Sequence, residues 1–177
     1  CSSDLFVQCA GSRDENHLNY CSYICCMASL KQATYIRERV PEALVTIYYI
    51  DLRTPGRYQK FLEKVSADPK LSLVKGKVAE LTESASGKVL ATVEDVESGI
   101  KNIEEFDLVV LATGMQPSTA GEAVALNAPR DEEGFFIGSD GTGVIATGCA
   151  KLPLDVMRSA QAATGAALKA IQTVAGR

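Results

Sequence analysis

Four of the chain's six cysteines fall in the segment CAGSRDENHLNYCSYICC, residues 9–26, spaced C-x11-C-x3-C-C. Cys9, Cys21, Cys25 and Cys26 at this density suit four kinds of chemistry. They could ligate an iron–sulfur cluster, ligate zinc, form a redox disulfide, or pack as small hydrophobes. An iron–sulfur cluster needs four thiolates converging on one compact core. Cys21 and Cys25 stand four residues apart, so a helix running through both sets them on one face. Cys26 is one residue further on and reaches a group seated at the helix start, while Cys9 faces the same helix end across the loop. A helix N-terminus, with its N–H groups and positive dipole end, favours thiolates and an anionic group. Structural zinc could use the same sulfurs, with His17 as a substitute ligand, but zinc sites usually pair cysteines as C-x2–4-C without so long a loop. Adjacent Cys25 and Cys26 rarely bridge to each other, and a reducing, cytosolic setting fits better than a disulfide framework. His17 reads first as a solvated loop residue.

The elements that must position these thiols are legible from the apolar pattern. Residues 4–9 (DLFVQC) form a short buried strand that ends at Ala10-Gly11-Ser12. Apolar residues recur at helical spacing from Tyr20 to about Arg39, and Pro41 ends that helix. Residues 45–52 (VTIYYIDL) are β-branched and aromatic and predict a second strand. The result is one βαβ unit, with the cysteine loop as its first turn. A short helix follows over 57–65, then strands over 71–74, 77–81, 88–93 and 100–104 in a hairpin or meander. The run DLVVLAT at 107–113 has the composition of a central parallel strand. Short strands are expected at 135–137 and 144–147. A closing helix over 153–174 carries Val156, Ala160, Ala163, Ala167 and Ile171 along one face. This is an α/β chain with a mostly parallel sheet and a β-meander.

Composition bounds the function. The chain has 177 residues and a formal net charge of -4, with 46% hydrophobic and 23% charged residues, a soluble globular balance without a basic patch for nucleic acid. Its longest apolar runs are strand length, far short of the roughly 20 residues of a membrane span. No signal peptide is expected, and docking onto a membrane partner stays open.

The stretch FVQCAGSRDENHLNYCSYICCMASLKQA resembles the corresponding segment of the heterodisulfide reductase A-subunit family, which carries a cysteine signature of this kind. The tail, ATGCAKLPLDVMRSAQAATGAALKAIQ, is most similar to the A subunit of the quinone-interacting membrane-bound oxidoreductase complex of sulfur metabolism. The resemblance implies a 4Fe–4S cluster on Cys9, Cys21, Cys25 and Cys26, close to FAD. It implies a Rossmann-like FAD/NAD(P)-binding fold of the thioredoxin reductase type. It also implies partner subunits linking the chain to a heterodisulfide-like couple or to the quinone pool and adenylylsulfate reductase, in the cytoplasm or peripherally at the membrane.

The nucleotide-binding features agree with this in part. The loop after the first strand lacks G-x-G-x-x-G, so its backbone cannot approach a pyrophosphate, and the cluster is expected in place of the nucleotide. Asp51 then reads as a turn or capping residue rather than a ribose ligand. Flavin-type signals are Thr113 and Gly114 after the buried run, Gly148 and Cys149 where a Gly-Asp pair would hold a ribityl chain, and Leu154, Asp155 and Val156. Those last three open a helix whose N-terminus would meet the pyrimidine edge. The expected lobes are residues 1–106, an NAD(P)-binding-like lobe with the cluster, and 107–177, the C-terminal part of an FAD domain whose first half is not in this sequence. As an isolated piece the chain is expected to be inactive. A zinc-stabilised interaction module and a disulfide oxidoreductase using Cys25 or Cys26 are the competing readings.

Overall fold

Strand β1 (Ser3–Val7) is apolar on both faces because both are covered. Phe6 enters one core with Leu30 and Ala33 of helix α1 (Cys25–Arg39) and Val45 and Ile47 of strand β2 (Leu44–Tyr49). Leu5 and Val7 enter a second core with Tyr48, Ala91, Val93 and Phe106. β1 and β2 run parallel, with Phe6 opposite Ile47, so the expected βαβ unit is present. The structure is a computed structural model that describes residues 2–121, 126, 128–138 and 143–176. It divides into two compact units: Cys1–Gly11 with Cys25–Thr113, and Ser12–Ile24 with Gly114–Arg177.

In the first unit, Arg37 closes α1 by donating to the carbonyls of Val40, Pro41 and Ala43 and pairing with Asp68. A 3-10 turn (Gly56–Tyr58) leads into α2 (Gln59–Ser66), which sends Val65 into the Phe6 core. The separate strands expected at 71–74 and 77–81 are one strand, β3 (Leu71–Glu83). Its first half pairs parallel with β2 and its second half antiparallel with β4 (Val89–Asp95). The exchange of partners falls at Gly76, where a Cβ would lie 2.5 Å from the Glu94 carbonyl oxygen and 3.0 Å from the Tyr48 ring. A glycine that reads as a breaker in sequence is here what lets the strand continue. β5 (Lys101–Phe106) completes the meander. The run expected to be a central strand is β6 (Leu108–Leu111), which pairs parallel with β1 but stands at the sheet's edge in the order β5-β4-β3-β2-β1-β6. Leu108 and Leu111 are half-exposed there.

Helix α1 begins at Cys25, five residues later than the periodicity suggests. Tyr23 has φ 67, a left-handed conformation that no α-helix passes through, and Ser22 is held by the Met115 backbone.

The second unit holds the loop 12–24 and the tail. The loop is closed by its own backbone, Arg13 N–H donating to Tyr20 O at 3.1 Å and Asp14 N–H to Leu18 O at 3.0 Å. The Tyr20 ring meets Phe135 edge-on at 5.5 Å. The strand expected at 135–137 is reduced to a bridge between Arg130 and Phe136, and residues 144–147 form no strand among the described residues. The tail continues through a 3-10 turn (Gly148–Ala150) to helix α3 (Val156–Val174). The face of α3 that carries Val156 and Ile171 is exposed, Val156 at 88% and Ile171 at 65%. The half-buried positions are Arg158, Ser159, Ala162 and Ala166 instead. The units divide the chain at 11/12, 24/25 and 113/114, so β6 belongs with the first-unit sheet.

Candidate functional site

In a parallel βαβ unit the carboxyl ends of the strands and the N-terminus of the connecting helix meet at one edge of the sheet. Three of the four clustered cysteines lie at that edge of the first unit. Cys9 follows β1 in the left-handed conformation, φ 56. Cys25 and Cys26 are the first residues of α1, whose first turn carries no acidic side chain. Cys26 is buried, and its Sγ donates to the Asp51 carbonyl at 3.6 Å, just past the end of β2. The Asp51 side chain is exposed, so at this turn it is the backbone carbonyl that meets the thiol.

Gln8, immediately before Cys9, was not legible as a site residue. Its backbone N–H extends the ladder to Tyr48 O at 3.0 Å. Its side chain is 5% exposed, and both amide atoms lack a hydrogen-bond partner among the described residues. A buried unsatisfied amide costs about 1–3 kcal/mol, so an acceptor such as an anionic sulfur beside Cys9 would relieve a real penalty.

Cys21 belongs to the second unit and lies outside any helix, which corrects the expectation that it shares a helix face with Cys25. It is positioned by its neighbours. The Tyr20 hydroxyl donates to Met115 O at 2.9 Å, and the Met115 N–H donates to Ser22 Oγ at 2.7 Å. The Tyr23 N–H donates to Cys21 Sγ at 3.4 Å. His17 is 67% exposed and sits 3.6 Å from Asp14, an exposed loop pair.

Among the described residues, the three non-glycine residues with positive φ are Cys9, Arg13 and Tyr23. Each such conformation costs about 1–3 kcal/mol, so backbone strain is concentrated in the cysteine segment. The structure gathers no group of three or more Cys, His, Asp and Glu side chains into a metal site among the described residues. The donor chemistry nonetheless fits an iron–sulfur cluster. The thiols are not in disulfides, the first turn of α1 carries no acidic residue, and the buried Gln8 amide, next in sequence to Cys9, is unpartnered among the described residues.

The flavin-type residues are arranged as follows. Thr113 closes the first unit just after β6, where the Ala112 N–H donates to Val7 O at 2.9 Å. Gly114 opens the second unit with φ 94, and the Ser12 and Ser22 hydroxyls fill the space where a side chain would stand. Gly148 has φ 58 and starts the 3-10 turn, and Thr147 Oγ1 before it is buried with no partner among the described residues. Cys149 Sγ donates to Leu154 O at 3.4 Å. Asp155 caps α3, its carboxylate accepting from the Arg158 N–H at 2.7 Å, and Val156 is exposed at the helix start. The glycine turn and the orphaned Thr147 hydroxyl fit a polar ligand; the Asp155 carboxylate occupies part of the helix end expected to face a flavin.

No family model matches the chain. It is 35% identical to the A subunit of the ferredoxin/F420H2-dependent CoB-CoM heterodisulfide reductase of Methanosarcina acetivorans, over 96% of this chain and 23% of that protein. It is 33% identical to the second iron-sulfur A subunit of the CoB–CoM heterodisulfide reductase of Methanopyrus kandleri, over 96% of this chain and 28% of that protein. With the protein of Archaeoglobus profundus named as like the heterodisulfide reductase A subunit, the figures are 34%, 97% and 26%. The chain thus spans about a quarter of the length of the curated relatives it matches. Among solved structures, thioredoxin reductase from Lactococcus lactis superposes with a TM-score of 0.60 at 18% identity, covering 97% of this chain and 54% of that one. Thioredoxin reductase from T. acidophilum gives 0.58 at 18% identity, covering 96% and 50%. The fold is therefore of the thioredoxin reductase type, and nearly the whole sequence is similar to one segment of proteins named as heterodisulfide reductase A subunits.

Proposed function

We propose that the chain is the cluster-bearing segment of a flavin-dependent electron-transfer subunit similar to the A subunit of heterodisulfide reductase. The observation that carries this reading is the first turn of the βαβ unit. In a fold of the thioredoxin reductase type, that turn has no G-x-G-x-x-G and carries Cys9, Cys25 and Cys26 around its edge, with Cys21 in the connecting loop. One relative is named an iron-sulfur subunit, which is consistent with the same chemistry.

In this reading Cys9, Cys21, Cys25 and Cys26 hold a 4Fe–4S cluster. Gly148, Cys149 and Leu154–Val156, with Thr113 and Gly114, border the FAD of the intact subunit. When bound, the cluster exchanges single electrons and the flavin exchanges two, so the chemistry belongs to the cofactors. The chain's own residues bind and orient. With the cluster bound, the α1 dipole would face the sulfurs, and the buried Gln8 amide would gain an acceptor if its N–H reached one of them. The Cys26 and Asp51 contact fixes the helix start against β2. The functional assignment gives the cluster to residues 1–106 and the flavin contacts to 107–177, bounds distinct from those of the compact units, which divide at 11/12, 24/25 and 113/114, and the isolated chain does not turn over by itself. Partner subunits would connect it to a heterodisulfide-like couple or to quinone and sulfur metabolism. Among the described residues no helix is long and apolar enough to cross a membrane.

Anaerobic reconstitution of the chain with ferrous iron and sulfide tests the reading. The expected result is about four irons and four sulfides per chain, with a broad thiolate-to-iron absorption that bleaches under dithionite. Stoichiometric zinc without that band would establish the zinc-stabilised module instead. NADPH oxidation coupled to a Cys25 or Cys26 disulfide would establish the oxidoreductase reading.

A further inference from the structure

Strand β5 ends the first-unit sheet, and no strand among the described residues pairs with its outer edge. The Asp95 N–H donates to Ile100 O at 3.1 Å, which makes these two a hydrogen-bonded pair of the β4–β5 ladder. Such pairs alternate with non-bonded ones along an antiparallel ladder. Asn102 and Glu104 therefore turn their backbone groups toward β4, and Lys101, Ile103 and Glu105 turn theirs outward. The Glu105 carbonyl agrees with this direction, since it accepts the Ser3 hydroxyl of β1 at 3.4 Å. The side chains of the same three residues share the face opposite the buried Phe106. Ile103 is 71% exposed there, with a cation two residues before it and a carboxylate two residues after.

We propose that this edge pairs antiparallel with the same edge of a second copy of the chain, about a two-fold axis at Ile103. An isologous contact must be self-complementary, and β5 is so in one register. With Ile103 opposite Ile103, Lys101 of each copy faces Glu105 of the other and Asn102 faces Glu104. The outward N–H and C=O groups then meet as hydrogen-bonded pairs, and the Glu105 carbonyl has a second lone pair beside the one that Ser3 uses. The neighbouring registers that keep these backbone bonds move the axis to residue 102 or 104. The first sets Lys101 against Ile103 and Glu105 against Gly99, and the second sets Glu104 against Glu104. Charge on an edge strand usually blocks pairing; on β5 it is placed so that a two-fold axis matches it. Within the chain Lys101 lies 3.6 Å from Glu94 and Glu105 3.9 Å from Lys88, exposed contacts that hold these side chains only weakly. The dimer would join two six-stranded sheets into one continuous sheet. It depends on neither the cluster nor the flavin.

Sedimentation velocity of the intact chain over the micromolar range tests the proposal. The wild type is expected to dimerise reversibly. Lys101→Glu and Glu105→Lys should each weaken the dimer about tenfold, since each turns two cross-strand attractions into repulsions. The double variant should recover the wild-type affinity, and so should an equimolar mixture of the two single variants, because both restore opposite charges across the axis. Ile103→Pro removes an N–H that faces away from β4, so circular dichroism should show an intact fold while the dimer is lost. If Ile103→Pro unfolds, the charge exchange decides alone. A wild-type chain that stays monomeric would overturn the proposal, as would a dimer whose affinity neither charge variant changes. A dimer that Ile171→Glu abolishes and Lys101→Glu leaves intact would also overturn it, and would assign the contact to the exposed face of α3.

Discussion

The Ser22 hydroxyl accepts the Met115 N–H at 2.7 Å, and the same hydroxyl occupies the space that a side chain at Gly114 would need. Ser22 is 1% exposed, so the bond is dry. Ser22→Ala leaves a buried N–H without its acceptor and is expected to cost about 1–3 kcal/mol. Gly114→Ala forces a side chain onto φ 94 and into two hydroxyls, adding about 1–3 kcal/mol of backbone strain to a comparable overpacking term. Urea unfolding should therefore rank wild type above Ser22→Ala and Ser22→Ala above Gly114→Ala. Equal midpoints for Gly114→Ala and wild type would show that the 113–115 crossing is looser than this packing implies.

That contact also explains what was legible in the sequence and what was not. The βαβ unit was readable because β1 and β2 are buried on both faces and their apolar runs have no other use. The start of α1 was not, since Tyr20 to Ile24 has helical composition. What breaks the helix is tertiary: Ser22 bonds to Met115, 93 residues away, and Tyr23 is turned left-handed beside it. The 107–113 run looked central because composition reports burial and not the order of strands, and β6 is an edge strand with half-exposed leucines. Gly76 looked like a boundary because a glycine needed for close approach is indistinguishable in sequence from one that ends a strand. The cysteine spacing raises the expectation of metal chemistry, whereas the placement of Cys21 in a different compact unit from Cys9, Cys25 and Cys26 has no signature in the spacing.

Arg37 and Asp68 predict an acid-sensitive component of stability. The Arg37 guanidinium bonded to Asp68, helped by the Lys70 backbone N–H, holds the Asp68 carboxyl below the ordinary carboxylate range. A carboxyl whose folded pKa is depressed stabilises the fold above its unfolded pKa, about 3.9, and that contribution is lost as pH falls through the lower folded value. Asp68→Asn should therefore be less stable than wild type at pH 7, with the gap closing below about pH 4. Urea midpoints at pH 7, 5 and 3 check this, and a gap that persists at the lowest pH would assign the loss to packing rather than charge.

Substitution of individual cysteines separates ligands from structural thiols. Cys9→Ser, Cys21→Ser, Cys25→Ser and Cys26→Ser are each expected to lower bound iron and sulfide after anaerobic reconstitution, while Cys149→Ser is not. Cys149 already bonds within the tail, to Leu154 O, and lies 3.7 Å from Ser159 Oγ. Cys26 gives the sharpest comparison. A serine keeps a donor for the Asp51 carbonyl and nearly the same volume, so the fold should survive while the cluster does not. Full iron content in Cys26→Ser would leave Cys26 as a core residue of α1.

Asp155 separates a helix cap from a cofactor contact. Its carboxylate accepts the Arg158 N–H, so Asp155→Ala should destabilise the second unit by about 1 kcal/mol. Asp155→Asn keeps an acceptor of the same shape and should stay within about 0.5 kcal/mol of wild type, losing mainly the charge–dipole attraction. The two variants also separate the roles in flavin binding. If α3 borders the flavin through its capped first turn, flavin retention in the full-length protein should follow the cap. Asp155→Asn would then hold flavin as wild type does, or more firmly, because removing the carboxylate unmasks the positive helix end toward an electron-rich edge. Asp155→Ala would hold it less firmly. Loss of flavin in Asp155→Asn at unchanged stability would show instead that the carboxylate itself touches the cofactor, and the cap would be its secondary task.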